Sequence, residues 1–359
     1  MRSERLQEGG SFRFDAFSCL RSDYAKSECS YCIDLCPEEA MLFDRKRLTL
    51  DTQRCTGCAA CVGTCPTEAL RSDLFDPNRF SLEFSLSREK VLSCRVNVPC
   101  LAALSVEHLV SIVLRREDET VCDLAHCGEC SLNRDGKLFA TIETMVDEAD
   151  RFLGFCGSQK RIARLYELPS EAPETGRREL FKRVTRLARE AGEEHSMSEL
   201  AQAHEMKQPL KRVLLKNAIK AHIGSLPATA DPAPSFSFVR NRRIDERSCT
   251  NCQECAIFCP TEALTTLQDN TGIVFKVGHC IACGICSDVC QPRAIAESDG
   301  FDLVEFAFDR MQLLVRHRLE ICEECNVAFP YRGGEMVCDR CRDFRENFSD
   351  LFTMARDLE

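Results

Sequence analysis

Cys249-Thr-Asn-Cys252-Gln-Glu-Cys255-Ala-Ile-Phe-Cys259-Pro260, followed by Cys280-Ile-Ala-Cys283-Gly-Ile-Cys286-Ser-Asp-Val-Cys290, spells C-x2-C-x2-C-x3-C twice. Three thiolates at this spacing wrap around three irons of one cubane, and the fourth, displaced by a turn, ligates the partner cluster. The pattern assigns one 4Fe-4S cluster to Cys249, Cys252, Cys255 and Cys290, and another to Cys280, Cys283, Cys286 and Cys259. Pro260 follows Cys259 directly, whereas Gln291 separates Cys290 from Pro292; the cysteine spacing itself is intact. A disulfide framework is the bland alternative.

These residues resemble the two-cluster bacterial ferredoxins. The resemblance implies a pseudo-twofold pair of hairpins and short helices around two 4Fe-4S clusters. Leu264-Thr-Thr-Leu267 and Ile273-Val-Phe-Lys-Val277, on either side of a polar turn ending in Gly272, supply the hairpin.

A distorted copy lies near the start of the chain. Cys55-Thr-Gly-Cys58-Ala-Ala-Cys61-Val-Gly-Thr-Cys65-Pro66 is complete, but Cys29-Ser-Tyr-Cys32-Ile-Asp-Leu-Cys36-Pro37 has Lys26 where its first cysteine would stand. Cys19 is the nearest upstream thiol. Loop closure grows slowly with length, so the longer loop costs little once three other ligands are fixed. One cluster is expected on Cys36, Cys55, Cys58 and Cys61, the other on Cys19, Cys29, Cys32 and Cys65; a three-iron cluster with Cys19 free is the rival. Met41-Leu-Phe43 and Leu48-Thr-Leu50 flank a charged turn and repeat the hairpin.

Between the copies the spacing changes. Val91-Leu-Ser-Cys94, Val98-Pro-Cys100, an apolar periodic run from Leu104 to Leu114, then Thr120-Val-Cys122 and His126-Cys127-Gly-Glu-Cys130 read as strand, turn, helix, strand, turn, helix. Such a unit places Cys94, Cys100, Cys127 and Cys130 where loops at strand ends converge. The pattern resembles the delta subunit of methyl-viologen-reducing hydrogenases, which implies a 2Fe-2S cluster there, although that family's tighter leading cysteine pair is lacking. A further iron-sulfur cluster, zinc and buried free thiols all stand as occupants of this site. Cys122 and Cys156 read as buried structural thiols, and His126 as a group orienting a ligand.

The cysteine-free stretch beyond Cys156 is richer in Lys and Arg than in Asp and Glu and carries two amphipathic patterns, one through Leu180, Phe181, Val184, Leu187 and Ala188, the other through Leu210, Val213, Leu214, Ala218 and Ile219. They read as helices packed on the chain's own acidic modules, with peripheral docking of the basic helices to an acidic partner or membrane surface as the alternative. Pro227–Pro234 reads as a linker. In the tail, Cys322-Glu-Glu-Cys325 and Cys338-Asp-Arg-Cys341 form paired knuckles, with a hairpin turn expected at Tyr331-Arg-Gly-Gly334. The tail is similar to a zinc ribbon, which implies one structural zinc; mononuclear iron or another cluster are the alternatives.

The expected architecture is α+β and multidomain: an N-terminal dicluster ferredoxin module (1–90), a small α/β cysteine-bearing module (91–156), a helical connector and linker (157–245), a second dicluster module (246–300) and a zinc-ribbon-like tail (301–359). The chain has 359 residues and 26 cysteines, and its 47 Lys and Arg against 57 Asp and Glu give a net charge of -10. So many thiols in short C-x2-C groups, without a signal-like or membrane-spanning apolar run, point to metal ligation in a cytoplasmic setting. The acidic balance and the absence of Trp argue against nucleic acid and favour basic patches on redox proteins. No dinucleotide fingerprint or phosphate loop is present. The expected function is single-electron relay through four 4Fe-4S clusters, with no catalytic residues, as a subunit of a redox complex of hydrogenase, formate dehydrogenase or heterodisulfide reductase type. A redox-sensing assembly or regulatory factor that docks clients through the tail is the alternative.

Overall fold

The computed structural model describes residues 4–5, 12–44, 47–167, 207–223 and 235–348. They fall into two compact units. One comprises the chain up to Arg240 with Val277–Cys283 and Asp299–Arg310; the other comprises Asn241–Lys276, Gly284–Ser298 and the residues from Met311 onward.

In the first unit, β1 (Glu4–Arg5), β2 (Phe12–Phe14), β3 (Met41–Asp44), β4 (Arg47–Leu50) and β5 (Leu70–Ser72) frame the N-terminal module with α1 (Leu20–Asp23), α2 (Tyr31–Asp34) and α3 (Ala60–Thr64). β3 and β4 form the expected hairpin, and β2 pairs antiparallel with both β1 and β5. Phe12, Met41 and Leu50 are buried on the inner face of these strands. Next comes α4 (Pro77–Leu86), started by Asp76, whose carboxylate accepts from the Asn78 and Arg79 amides, with Pro77 at the first helical position.

The middle module is a parallel sheet. β6 (Val91–Leu92), β7 (Thr120–Asp123) and β8 (Ile162–Leu165) lie in that order, with α5 (Val106–Arg115) and α6 (Lys137–Phe155) as the crossovers. The strand-turn-helix reading therefore holds locally, but the sheet does not stop at Cys156. β8, assigned to the connector on sequence, completes it, because α6 ends at Phe155 and the chain turns back to pair in parallel with β7. α5 starts with a reciprocal cap between Ser105 and His108. Burial and the nearby Lys211 charge push the His108 imidazole well below its usual pKa, so it stays neutral and shares a 3.0 Å hydrogen bond with Asn78.

Of the two amphipathic patterns in the connector, the one around Leu180–Ala188 lies outside the described residues, as does Pro227–Pro234. The other is α7 (Leu210–Ile223), packed against α5. Its cations Lys211, Arg212 and Lys216 are buried, so most of this helix's charge is turned inward, while Lys220 in its last turn is only partly covered. Phe236, Phe238, Phe301 and Phe306 gather around Phe152 of α6 in edge-on and tilted contacts, which holds residues 299–310 to the first unit. Sequence placed residues 301–310 in the tail; their aromatic rings assign them to this core.

In the second unit, β9 (Asn241–Ile244) pairs with β12 (Ile295–Ser298), and β10 (Leu264–Thr266) and β11 (Gly272–Phe275) form the second hairpin. β13 (Gln312–Arg316) adds a third strand beside β11, so the dicluster module's sheet extends past residue 300. The knuckle region also departs from expectation. β14 (Leu319–Ile321) pairs with β15 (Ala328–Pro330), so the hairpin turns through the first knuckle and not at Tyr331–Gly334. Glu323 N–H donates to Met336 O at 2.8 Å and brings the second knuckle in, ahead of helix α8 (Asp339–Phe348).

Gly63 in α3 marks the tightest join between the first two modules. A Cβ there would lie 2.3 Å from Ala102 O and 2.6 Å from the Ala103 carbonyl carbon, both on the turn that follows Cys100. Gly63→Val should therefore force two backbones apart and destabilise the protein by about 3 kcal/mol or more, read as a fall in the denaturation midpoint at unchanged slope.

Candidate metal centres

The N-terminal module brings its cysteines together in two interleaved sets. Cys19, Cys29, Cys32 and Cys65 line one pocket among Phe14, Leu20, Leu48 and Leu70; Cys36, Cys55, Cys58 and Cys61 line a second among Phe12, Met41 and Leu50. Each set takes its last cysteine from the opposite motif, the exchange the spacing implies. Cys19 reaches its set because it caps α1, and the turn of chain through Lys26 carries the backbone back to Cys29.

Burial dominates the electrostatics of these thiols. It pushes Cys29 up to about 11 and Cys32 to about 12, with mutual repulsion from Cys65 and Cys19 adding to the rise, and it holds Cys61 well above its usual value. Main-chain N–H groups oppose the rise: Tyr31 donates towards Cys29, Gly57 towards Cys55 and Ala60 towards Cys58. The backbone is left-handed at Gly57 and Ala59, in the loop that carries the Gly57 and Ala60 amides. Apolar pockets of this kind penalise bare thiolates, while amide donors favour them, so the donor sets fit a cationic iron core that supplies the missing positive charge.

In the middle module the loops leaving β6 and β7 converge as expected. Cys94, Cys100, Cys127 and Cys130 line a cavity of about 420 Å³ with Arg95, His126 and Glu129. Ser93 donates to Asp123 at 2.7 Å and fixes one strand end to the other. Asn133 donates to Cys127 O at 3.0 Å and accepts from Phe139 N–H at 2.9 Å, anchoring the second loop to α6. His126 Nε2 is buried without a hydrogen-bond partner. Cys122 and Cys156 are buried elsewhere, on the strand and at the helix end, and do not line this cavity. Burial raises Cys100, and the charges of Cys58, Cys94 and Cys127 raise it further, so the middle site adjoins the Cys58 pocket.

In the second unit burial first, then the charges of Cys249, Cys252, Cys286 and Cys290, lift Cys255 to about 12, so Cys255 lies among these four cysteines. Ala294 N–H donates to Cys290 Sγ at 3.2 Å, as Ala40 N–H does to Cys36 Sγ at 3.2 Å in the first module. Of the four expected on the other cluster, Cys280 and Cys283 belong to the first unit and Cys259 and Cys286 to the second, and their grouping rests on spacing.

The knuckles close a tighter group. The sulfurs of Cys322, Cys325, Cys338 and Cys341 all lie within 4.8 Å of one another, the condition for sharing a single ion, and among the described residues no other cysteine set meets it. Burial pushes the Cys322 thiol up, but amide donors from Cys325, Cys338 and Glu324 outweigh that and bring it down to about 6. One ready thiolate in a tetrad fits a tetrahedral ion such as zinc. The looser middle set fits a multinuclear cluster better than a lone ion.

Several residues that hold these sites gave no signal in the cysteine spacing. Glu68 accepts from the Leu210 and Lys211 amides, and Lys211 donates to Cys65 O at 2.7 Å. Arg332, beyond the knuckle hairpin, donates to Cys249 O at 2.7 Å and pairs with Asp339. The one available sign was the six-residue stretch Cys-Pro-Thr-Glu-Ala-Leu, present at both 65–70 and 259–264.

Residues 27–69 and, separately, 241–291 match family models described as a 4Fe-4S dicluster domain. The chain thus carries two dicluster domains of two-cluster ferredoxin type. It is also similar to an iron-sulfur subunit of the CoB–CoM heterodisulfide reductase from Methanocaldococcus jannaschii, at 29% identity over 93 residues, 21% of this chain. The match spans 13% of that protein's length.

Cys19→Ser should remove or convert one N-terminal cluster and leave the others, whereas Cys156→Ser should leave the metal content unchanged; iron and sulfide analysis with EPR of reduced protein reads both. Cys322→Ser should lower tail-bound zinc from about one equivalent to near zero and unfold α8, since a structural zinc supplies roughly 10 kcal/mol or more to such a fold; zinc analysis and the loss of helical circular dichroism check it.

Proposed function

We propose that this chain, with its two dicluster ferredoxin domains, relays single electrons through four 4Fe-4S clusters as a subunit of a redox complex, with a further cluster in the middle module and one zinc in the tail. The observation that carries this reading is the interleaving of Cys19, Cys29, Cys32 and Cys65 with Cys36, Cys55, Cys58 and Cys61 in two adjoining apolar pockets. When bound, such a cluster accepts and releases one electron at a potential set by its surroundings. The chain's part is to hold the sulfurs, exclude water with Phe12, Phe14, Met41 and Leu70, and aim amide N–H groups at the thiolates. No nucleophile and base are assigned, and the centres serve conduction.

The five-segment organisation supports this reading, with the corrections that β8 joins the middle module and β13 the second dicluster sheet. The net charge of -10 suits docking onto basic patches of donor and acceptor proteins. A complex of heterodisulfide reductase type is favoured over hydrogenase or formate dehydrogenase types by the likeness to an iron-sulfur subunit of that enzyme. No helix among the described residues is long and apolar enough to cross a membrane, and a cytoplasmic complex is the setting we propose. A small-molecule reading attaches to the middle module alone, because a cavity of about 420 Å³ lined by Arg95, His126 and Glu129 falls in the size range of ligand pockets.

Anaerobically reconstituted protein should contain about 16 iron in four cubanes, two to four more if the middle site is filled, and about one zinc. Stepwise reduction should develop the EPR signals of several interacting clusters, with rapid uptake of electrons from a reduced low-potential donor. Fewer than about 12 iron, or clusters that resist reduction, would overturn the reading.

A further inference from the structure

We infer that Glu107, Lys211 and Arg212 form a buried charge hub that sets the reduction potentials of two clusters together, the one held by Cys65 and the one held by Cys280. The inference rests on the four-cluster reading above and concerns how two of those centres are tuned.

The geometry is unusual for its economy of atoms. Lys211 and Arg212 are consecutive on the first turn of α7, and both are buried, at 4% and 1% exposure. Lys211 Nζ donates to Cys65 O at 2.7 Å, with Gly63 O at 3.5 Å. The Arg212 guanidinium donates through Nη1 to Cys280 O at 2.6 Å and Gly278 O at 3.2 Å, and through Nη2 to Phe238 O at 2.6 Å. One carboxylate answers both cations. Glu107 of α5, 3% exposed, accepts from Arg212 Nε at 2.8 Å and lies 3.6 Å from Lys211 Nζ. Phe238 and Phe306 flank the guanidinium, their ring centroids 5.4 and 5.3 Å from it, and shut out water.

Packing alone does not account for this. Burying charge is costly, and an apolar trio of similar volume would hold three elements together at least as well. What apolar residues cannot do is present a fixed cation to the carbonyl of a cluster-bearing cysteine on each side. Reduction adds one electron, supplied by the external donor, to a centre beside that carbonyl, and a nearby buried cation favours the more negative state. Lys211 therefore raises the potential of the Cys65 centre and Arg212 that of the Cys280 centre. Glu107 lowers both, because its negative charge stands against each cation. The hub carries one net positive charge, and the shared carboxylate makes the two potentials move as a pair.

The test uses the full-length, cluster-loaded protein, with midpoint potentials followed by EPR and each signal assigned by its loss in Cys29→Ser or Cys283→Ser. Glu107→Gln keeps shape and removes charge, so it should shift both potentials upward. Lys211→Met should lower the Cys65 centre and leave the Cys280 centre in place, and Arg212→Met should do the reverse. Arg212→Lys keeps the charge and should hold the Cys280 potential close to that of the parent. A structural role alone would change stability without these opposite signs. Where Arg212→Met does not fold, Glu107→Gln decides. Full iron content with either potential unmoved in Glu107→Gln overturns the hub while leaving the four-cluster reading intact; absence of iron at Cys65 or Cys280 in the parent protein overturns both.

Discussion

The constraint on which the rest of the structure depends is that a set of buried thiols cannot be completed from one stretch of chain. Three cysteines at two-residue spacing subtend only part of a cluster, and the fourth has to arrive from elsewhere. In the N-terminal module it arrives by exchange, Cys65 crossing to the Cys29 set and Cys36 to the Cys55 set. That exchange fixes the β3–β4 hairpin between the motifs and the pairing of β2 with β5 around them. The module's small core, with Phe12, Met41, Leu50 and Leu70 fully buried, then serves to dry the sulfurs as much as to stabilise the fold.

Burial has a consequence for how the centres are joined. Main-chain carbonyls of the cysteines must find donors when water is excluded, and for Cys65 and Cys280 the donors come from α7. Lys211 takes the Cys65 carbonyl and Arg212 the Cys280 carbonyl, while Glu68 receives the amides at the start of the same helix. Gly63 lets α3 press onto the turn after Cys100. Close backbone contact and a shared charge cluster thus tie together the loops that carry Cys65, Cys100 and Cys280 within the first unit.

The tail solves its problem differently. Its knuckle cluster buries little beyond Phe329, Val337, Cys322 and Cys338, too little apolar surface to order the segment, and the four sulfurs converge where a core would be. Arg332 ties this compact piece to the loop carrying Cys249 through a carbonyl contact and a pairing with Asp339. The hairpin lies across the first knuckle because the Cys322 and Asn326 main chains bond each other around that turn, leaving Tyr331–Gly334 to connect the knuckles.

The cysteine spacing by itself determined the two dicluster domains, the interleaving of Cys36 and Cys65 and the tetrad of the tail, while the strand-turn-helix pattern placed Cys94, Cys100, Cys127 and Cys130 on converging loops. Spacing can do this because ligand geometry is local: a C-x2-C loop has few ways to aim two sulfurs at one point. The tertiary structure alone decided that β8 closes the middle sheet, that residues 299–310 join an aromatic core around Phe152, and that a helix read as a basic amphipath hides three of its cations. Those outcomes turn on partners remote in sequence. Lys211 and Arg212 look like solvent-facing charges until Glu107, Cys65 and Cys280 surround them, and no periodicity along the chain records which carbonyls will need a donor once water has gone.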